Sequence, residues 1–285
     1  MLPSRVLVTG GAGNLGSKVV GALTVAPWCR EVIAIDRIGA ADALGLRRVA
    51  GDLRRADPAW TETFAGVDAV VHLAAQNPYP DATWTDSAAS FDMTVQVIEA
   101  AVRHGVGRLV FASSNHVMGG YKDSDPPLAP GTLSVDLPPR VGTVWQHGDV
   151  RLDSTPYAAA KLMGERLCSA RAGTFTAVSL RIGWCQPGAN RPETLSAAGT
   201  PKLADGVGQA NRDRRWFQDM WLSNRDFAAL LLAALTADAA GWPTPAIIVN
   251  GMSRNQDMPW DIASSATLIG YRPQDDVRRI TASPG

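Results

Sequence analysis

The sequence predicts an α/β protein built on a doubly wound parallel sheet, with a small C-terminal lobe for substrate. Three observations carry that prediction. Short β-branched runs alternate with helix-like stretches through the first half of the chain, the pattern of a sheet covered by helices on both faces. A glycine-rich turn, Thr9-Gly10-Gly11-Ala12-Gly13-Asn14-Leu15-Gly16, joins the first such run to the first helix. An acidic residue, Asp36, closes the second run.

In chain order, strands are expected at Arg5–Thr9, Val32–Asp36, Arg47–Ala50, Ala69–Leu73, Leu109–Ser113, Thr176–Arg181 and Ala246–Asn250. Helices are expected at Leu15–Ala26, Trp60–Phe64, Ser87–His104, Tyr157–Arg171 and Asn224–Thr236. In the third of these, Val95, Ile98, Ala101 and Val102 recur at helical spacing, so one face is apolar. Two stretches break the alternation: Gly119–Pro156 is rich in Pro and Gly, and Pro187–Arg215 in Gly, Ala and charge. Both read as long loops, which inside a compact domain usually serve as lids or binding loops. The expected division is a nucleotide-binding domain over 1–185, packed with 221–250, and a lobe made of 186–220 and 251–285.

Composition narrows the function classes. With 285 residues, 46% apolar and 19% charged, the chain can bury a sizeable core. Lys+Arg and Asp+Glu are equal at 27 each, so no net field attracts nucleic acid or an anionic membrane surface. The chain enters a strand-like run at Val6, which leaves no room for a leader of the secretory kind, and no long uninterrupted apolar stretch suggests a membrane span. Cys29, Cys168 and Cys185 are odd in number and lack metal spacing, as expected for reduced thiols in a cytoplasmic protein that holds no metal. A homo-oligomer is left open.

The glycine turn lies after a strand and before a helix, the context in which such spacing means dinucleotide binding. Gly10, Gly13 and Gly16 allow a tight turn and close backbone approach, and the helix N-terminus at Asn14 and Leu15 receives a pyrophosphate. Asp36 lies twenty residues after Gly16, where a carboxylate accepts hydrogen bonds from ribose hydroxyls and repels a 2′-phosphate. NAD is therefore expected over NADP.

Tyr157-Ala158-Ala159-Ala160-Lys161 sets a phenol and an ammonium one helical turn apart. A phenol titrates near ~10 and is a poor base at neutral pH, so a neighbouring cation must stabilise the phenolate. Lys161 supplies it. Ser114 follows the run Leu109-Val110-Phe111-Ala112-Ser113, at the strand end where open α/β sheets hold their ligands.

Together the glycine loop, Asp36, Asp52-Leu53, His72-Leu73-Ala74-Ala75, Ser113-Ser114 and Tyr157 with Lys161 resemble the extended short-chain dehydrogenases, members of the NAD-dependent epimerase/dehydratase superfamily with a Rossmann fold. The resemblance spans residues 5–185. It implies that Tyr157, Lys161 and Ser114 are catalytic, that Asp52 and Leu53 flank the adenine, and that Leu73, Ala74 and Ala75 line the cofactor cleft. Ser90 stands where that family usually has an Asn beside the cofactor.

Within the family, Phe111-Ala112-Ser113-Ser114-Asn115-His116 with Gly119, Arg181-Ile182-Gly183-Trp184-Cys185 and Trp221-Leu222-Ser223-Asn224-Arg225-Asp226-Phe227 are similar to uronate dehydrogenases. These oxidise the C1 hydroxyl of a hexuronic acid to a lactone with NAD. The resemblance implies substrate contacts from Asn115 and His116, for a sugar acid or a related sugar. Trp184 replaces a Ser of that branch, and Trp216 falls where its carboxylate-binding Arg belongs. Arg215, one residue away, is the expected anion clamp, with Arg191, Arg212 and Arg214 as rivals. Trp145, Trp184, Trp216 and Trp221 all fall in segments expected to face the cleft. One or two of them are expected to pack against the sugar, since flat aromatic faces suit pyranose C–H groups and tryptophan is more often core.

Two other readings compete. A nucleotide-sugar epimerase or dehydratase shares the fold, but related dehydratases place Asp-Glu where this chain has Asn115-His116. A non-enzymatic NAD(P)-sensing protein has no use for Tyr157 and Lys161 together.

Overall fold

In the computed structural model, residues 2–76, 83–147, 149–195 and 209–282 are described. Seven parallel strands form the sheet: β1 (Arg5–Thr9), β2 (Glu31–Asp36), β3 (Leu46–Ala50), β4 (Ala69–His72), β5 (Arg108–Ser114), β8 (Thr176–Ile182) and β9 (Ala246–Gly251). Their order is β3-β2-β1-β4-β5-β8-β9, with all neighbouring pairs parallel. The order reverses between β1 and β4, and a crevice opens at the carboxyl ends of those strands. A separate antiparallel hairpin joins β6 (Val144–His147) to β7 (Val150–Asp153).

The strands are apolar on both faces because both are covered. Val6 and Val8 face α1 (Asn14–Thr24) and α6 (Asn224–Thr236), against Val19, Leu23, Phe227 and Leu230. Leu7, Ile33 and Phe111 face the other way, toward Trp60, Val97, Ile98 and Cys168, beneath α2 (Pro58–Thr61), α3 (Trp84–Arg103) and α4 (Thr155–Ala170). Each such fully buried side chain contributes about 1.5–3 kcal/mol. Thr83 and Asp86 cap α3 reciprocally, which fixes its start. Pro156 sits in the first turn of α4, where its missing N–H costs nothing.

Three expectations are corrected. Helix α3 begins at Trp84 rather than Ser87, and α4 at Thr155 rather than Tyr157, because the capping residues lie outside the apolar pattern. The stretch read as one loop over Gly119–Pro156 contains the hairpin, whose Trp145 and Leu152 point inward. The stretch over Pro187–Arg215 ends in a helix, α5 (Gln209–Asp219), in place of a loop. Its buried positions, Asp213, Trp216 and Phe217, continued by Met220, fall at helical spacing, but its surface Arg residues mask that period in the sequence. Two further short helices, α7 (Ala263–Ile269) and α8 (Val277–Ala282), lie in a segment with no sequence assignment. Gly270, at φ 71°, ends α7 in the left-handed conformation that glycine adopts without strain.

A third apolar cluster lies over the end of β5. It joins Val117 and Met118 to Trp145 and Leu152 of the hairpin, Trp216 and Phe217 of α5, and Met252 and Trp260. It forms one wall of the crevice.

Candidate active site

The glycine turn is shaped by close approach. A Cβ on Gly10, at φ 71°, would lie 2.9 Å from the Ala74 nitrogen, and one on Gly16 only 1.9 Å from the Gly10 carbonyl oxygen. No side chain caps the α1 N-terminus and no acid occupies its first turn, so its free N–H groups suit a phosphate. Thr9 Oγ1 accepts from Leu73 N and Ala74 N at 3.2 and 3.3 Å, holding the opposite wall in place. These residues fit a dinucleotide: the turn leaves no space for side chains where backbone must approach a pyrophosphate.

Two adjoining cavities follow this turn. One, of about 230 Å³, is lined by Asp36, Asp52, Leu53 and Ala74. Asp36 accepts from Ala12 N at 3.0 Å and Arg37 N at 2.7 Å, which aims its carboxylate along the groove. The hydrogen bonds of Arg54 hold Asp52 down to about 2. The second cavity, about 300 Å³, is lined by Gly10, Gly13, Asn14, Leu15, Gly16, Leu73 and Ala75, and continues to Ser114, Asn115, His116, Tyr157, Lys161 and Trp184. Ser90 lines neither. Its hydroxyl accepts from Gln76 N at 2.9 Å and donates to the Asp86 carbonyl, so it braces the segment after β4, which lines the cleft.

At the reaction end, β5 delivers Ser114 and α4 delivers Tyr157 and Lys161. Ser114 Oγ accepts from His116 N at 3.2 Å and hydrogen-bonds the Tyr157 phenol. Burial pushes that phenol up to about 12, with the Ser114 bond acting against it. Burial also pulls Lys161 down to about 8. Its ammonium lies 5.6 Å from the Tyr157 ring centre and 5.1 Å from that of Phe111, and no described carboxylate pairs with it. A cation beside the phenol favours the phenolate and so works against burial.

Asn115 donates through Nδ2 to the Ile182 carbonyl at 2.9 Å, while its buried Oδ1 has no partner. His116 is stacked on Trp145, with ring centres 6.1 Å apart at 15°, and meets Tyr157 and Trp184 edge-on. Burial holds His116 down to about 4, so its ring is neutral at physiological pH.

Arg215 is not brought to this cavity. Its side chain is 68% exposed and pairs with Asp219 at 3.7 Å, one turn further along α5; it borders a different depression with Tyr121 and Leu128. The helix explains the difference: Trp216 and Phe217 take the inward face, which rotates Arg215 to the surface. Arg212 pairs with Asp123 at 3.8 Å on that same outer side. Of the four tryptophans, only Trp184 lines the cavity. Trp145 lies behind His116, Trp216 packs on Trp260, and Trp221 is bridged to Trp184 through the backbone.

Sequence reasoning missed three parts of the site. Thr143 Oγ1 lies 2.7 Å from His116 Nδ1, a contact with no sequence signal. Gln76 and Ile182 line the cavity through strand ends. Lys18 donates to Cys185 Sγ and the Gln186 carbonyl, and Asn14 to the Cys185 carbonyl, tying α1 to the segment after β8. Among the described residues no acidic, His or Cys cluster is placed to hold a metal, and no helix is long and apolar enough to cross a membrane.

Comparisons with known proteins agree with this geometry. A sequence profile described as the NAD dependent epimerase/dehydratase family matches residues 6–248. The chain is 34% identical over 277 residues to an L-arabinose 1-dehydrogenase (NAD(P)(+)) of Haloferax volcanii, covering 96% of this chain and 97% of that protein. It is 30% identical to a uronate dehydrogenase of Pseudomonas syringae pv. tomato, covering 95% and 82% respectively. Among solved structures, glucuronic acid dehydrogenase from Chromohalobacter salexigens superposes with a TM-score of 0.71 at 28% identity, over 100% of this chain and 91% of that one. A uronate dehydrogenase of Agrobacterium tumefaciens in complex with NAD gives 0.67 at 27%, over 99% and 91%. A matching profile over most of the chain and whole-chain likeness to sugar dehydrogenases identify it as an NAD-dependent oxidoreductase belonging to the NAD dependent epimerase/dehydratase family.

Proposed function

We propose that this enzyme oxidises the C1 hydroxyl of a neutral aldose to its lactone. One observation carries the choice of substrate: among the described residues lining the reaction end of the cleft, the sole cation is Lys161. Among these described residues a sugar carboxylate would find no guanidinium, and an unpaired buried charge is costly. A neutral sugar suits Asn115, neutral His116 and the flank of Trp184. Likeness to the L-arabinose 1-dehydrogenase supports the same reading.

Bound NAD supplies the hydride acceptor. Tyr157, as phenolate, takes the C1 hydroxyl proton. Ser114 holds the oxygen as its charge changes, and Lys161 stabilises the phenolate and reaches toward ribose hydroxyls. Asn115, held by its Nδ2 bond to the Ile182 carbonyl, lines the pocket beside the sugar.

A hexuronate is the second reading, favoured by the whole-chain likeness to glucuronic acid dehydrogenase. The test is a panel of neutral pentoses and hexoses beside their uronic acids, followed by absorbance of the reduced cofactor, in wild type and Arg215→Ala. Neutral sugars should give the higher kcat/KM, and Arg215→Ala should leave both classes nearly unchanged. A preference for the uronate of roughly tenfold or more, lost in Arg215→Ala, overturns the neutral assignment.

A further inference from the structure

We infer that Thr143 is a positioning residue which fixes His116 in the tautomer carrying its proton on Nε2, so that the ring presents an N–H donor to a sugar hydroxyl oxygen in the cleft. The inference rests on the sugar-binding reading of that cleft.

The hydrogen-bond inventory around Thr143 decides the tautomer. Thr143 is fully buried, and His116 Nδ1, at 2.7 Å, is the one partner of its hydroxyl among the described residues. A hydroxyl both donates and accepts. If Nδ1 carried the ring proton, Thr143 Oγ1 would accept and its own hydrogen would be left buried without an acceptor, an arrangement proteins avoid. When Thr143 donates instead, Nδ1 is the acceptor and the proton sits on Nε2. Among the described residues His116 Nε2 has no partner; it is not one of the sealed, unsatisfied atoms, and it belongs to a residue lining the cavity. Burial keeps a second proton off the ring, holding it down to about 4.

The surrounding structure reads as support for this contact. Gly142, at φ 96°, donates its N–H to the His116 carbonyl at 2.9 Å. Gly119 has no room for a side chain, since a Cβ there would lie 2.2 Å from Thr143 Oγ1. Thr143 N donates to Ser154 Oγ at 2.8 Å and its carbonyl accepts from Ser154 N at 3.0 Å. Ser154 is the residue immediately before α4. Thr143, just before β6, is therefore clasped at once to His116 and to the base of the helix bearing Tyr157 and Lys161. Trp145, two residues on, stacks on the ring and fixes its plane.

The donor role sorts substrates by oxygen placement. A ring N–H at Nε2 rewards an acceptor oxygen at that point and rejects an analogue lacking it. The interaction is the same in ground and transition states, so its loss raises KM more than it lowers kcat.

The experiment reads the tautomer directly. In protein labelled with ¹⁵N-histidine, long-range ¹H–¹⁵N correlation resolves the rings of the four histidines, and His116→Gln assigns the signal. Protonated Nε2 with unprotonated Nδ1 is expected in the wild type. Thr143→Val, which keeps the volume and removes the hydroxyl, should erase that preference and raise the KM for the sugar about fivefold, with a smaller change in kcat and none in the KM for NAD. Thr143→Ser should restore both. Protonated Nδ1 in the wild type overturns the inference, as does a Thr143→Val enzyme with wild-type sugar KM. Should Thr143→Val fail to fold, the wild-type spectrum and Thr143→Ser decide. A protein that oxidises no sugar refutes the proposed function, while the tautomer measurement, which needs no substrate, still decides the role of Thr143.

Discussion

Glu165 and Arg181 grip one another across the interface of α4 and β8, with two hydrogen bonds of 2.9 Å between side chains only 1% and 2% exposed. Ser113 adds a third bond, donating to Glu165 Oε1 at 2.5 Å. Glu165 lies one turn beyond Lys161, and Ser113 immediately precedes Ser114. Through the Ser113 bond, Glu165 also ties the helix carrying the phenol and ammonium to β5, the strand carrying the hydroxyl.

Removing one partner should be far worse than removing both. Glu165→Ala leaves the Arg181 guanidinium buried and unpaired, with Nη1 already lacking a partner, and should cost about 3–5 kcal/mol. The double variant Glu165→Leu, Arg181→Met should recover much of that loss. Denaturant titration of the three proteins checks it, and equal stability of wild type and Glu165→Ala would sink the idea.

Catalysis should depend on the neighbouring pair in a pH-dependent way. Tyr157→Phe keeps the ring and deletes the base, so kcat should fall by at least ~10² with NAD affinity nearly unchanged. Lys161 is charged below about 8, and its cation favours the phenolate of a group pushed up to about 12. Lys161→Met removes that help, so the rising limb of the pH–rate profile should move to more alkaline pH. An unmoved limb would show that Lys161 acts on the cofactor alone.

NAD should be preferred to NADP because Asp36 is aimed along the groove, where a carboxylate opposes a 2′-phosphate. Asp36→Ser should narrow the ratio of kcat/KM values. Equal use of both cofactors by the wild type would show that Arg37, beside it, offsets the carboxylate.

Acid should weaken the fold through two histidines. Burial holds His72 down to about 3, with Lys161 adding repulsion, and His116 down to about 4, whereas unfolded histidines titrate near ~6.5. Between pH 6.5 and about 4 the unfolded chain binds more protons, so stability is full above that window and falls with pH through it. Each histidine contributes a slope of up to about 1.4 kcal/mol per pH unit. His116→Asn should flatten the dependence of unfolding free energy on pH; an unaltered slope would contradict the assignment.

The sheet was legible because its signals are local. Val6–Val8 and Val70–Val71 are short apolar runs of strand-forming residues, and Gly10–Gly16 marks a backbone turn no other residue type tolerates. The grouping of Ser114, Tyr157 and Lys161 at one cavity was legible as well, since Tyr157 and Lys161 share one helix and Ser114 ends one strand. What the sequence concealed depends on rotation and on long-range contact. Arg215 and Trp216 differ by one position, yet the helical turn sends one to solvent and the other inward. Thr143 meets His116 across twenty-seven residues, through a hairpin whose polar residues and Gly148 read as loop.

That hairpin pairs with no strand of the main sheet. It touches the reaction centre through Thr143 and Trp145, at the side of the cleft away from the glycine turn. One wall of the substrate end is thus built outside the main sheet. Exchanging side chains on the β6–β7 hairpin reshapes that wall while every pairing of the seven parallel strands stays as it is.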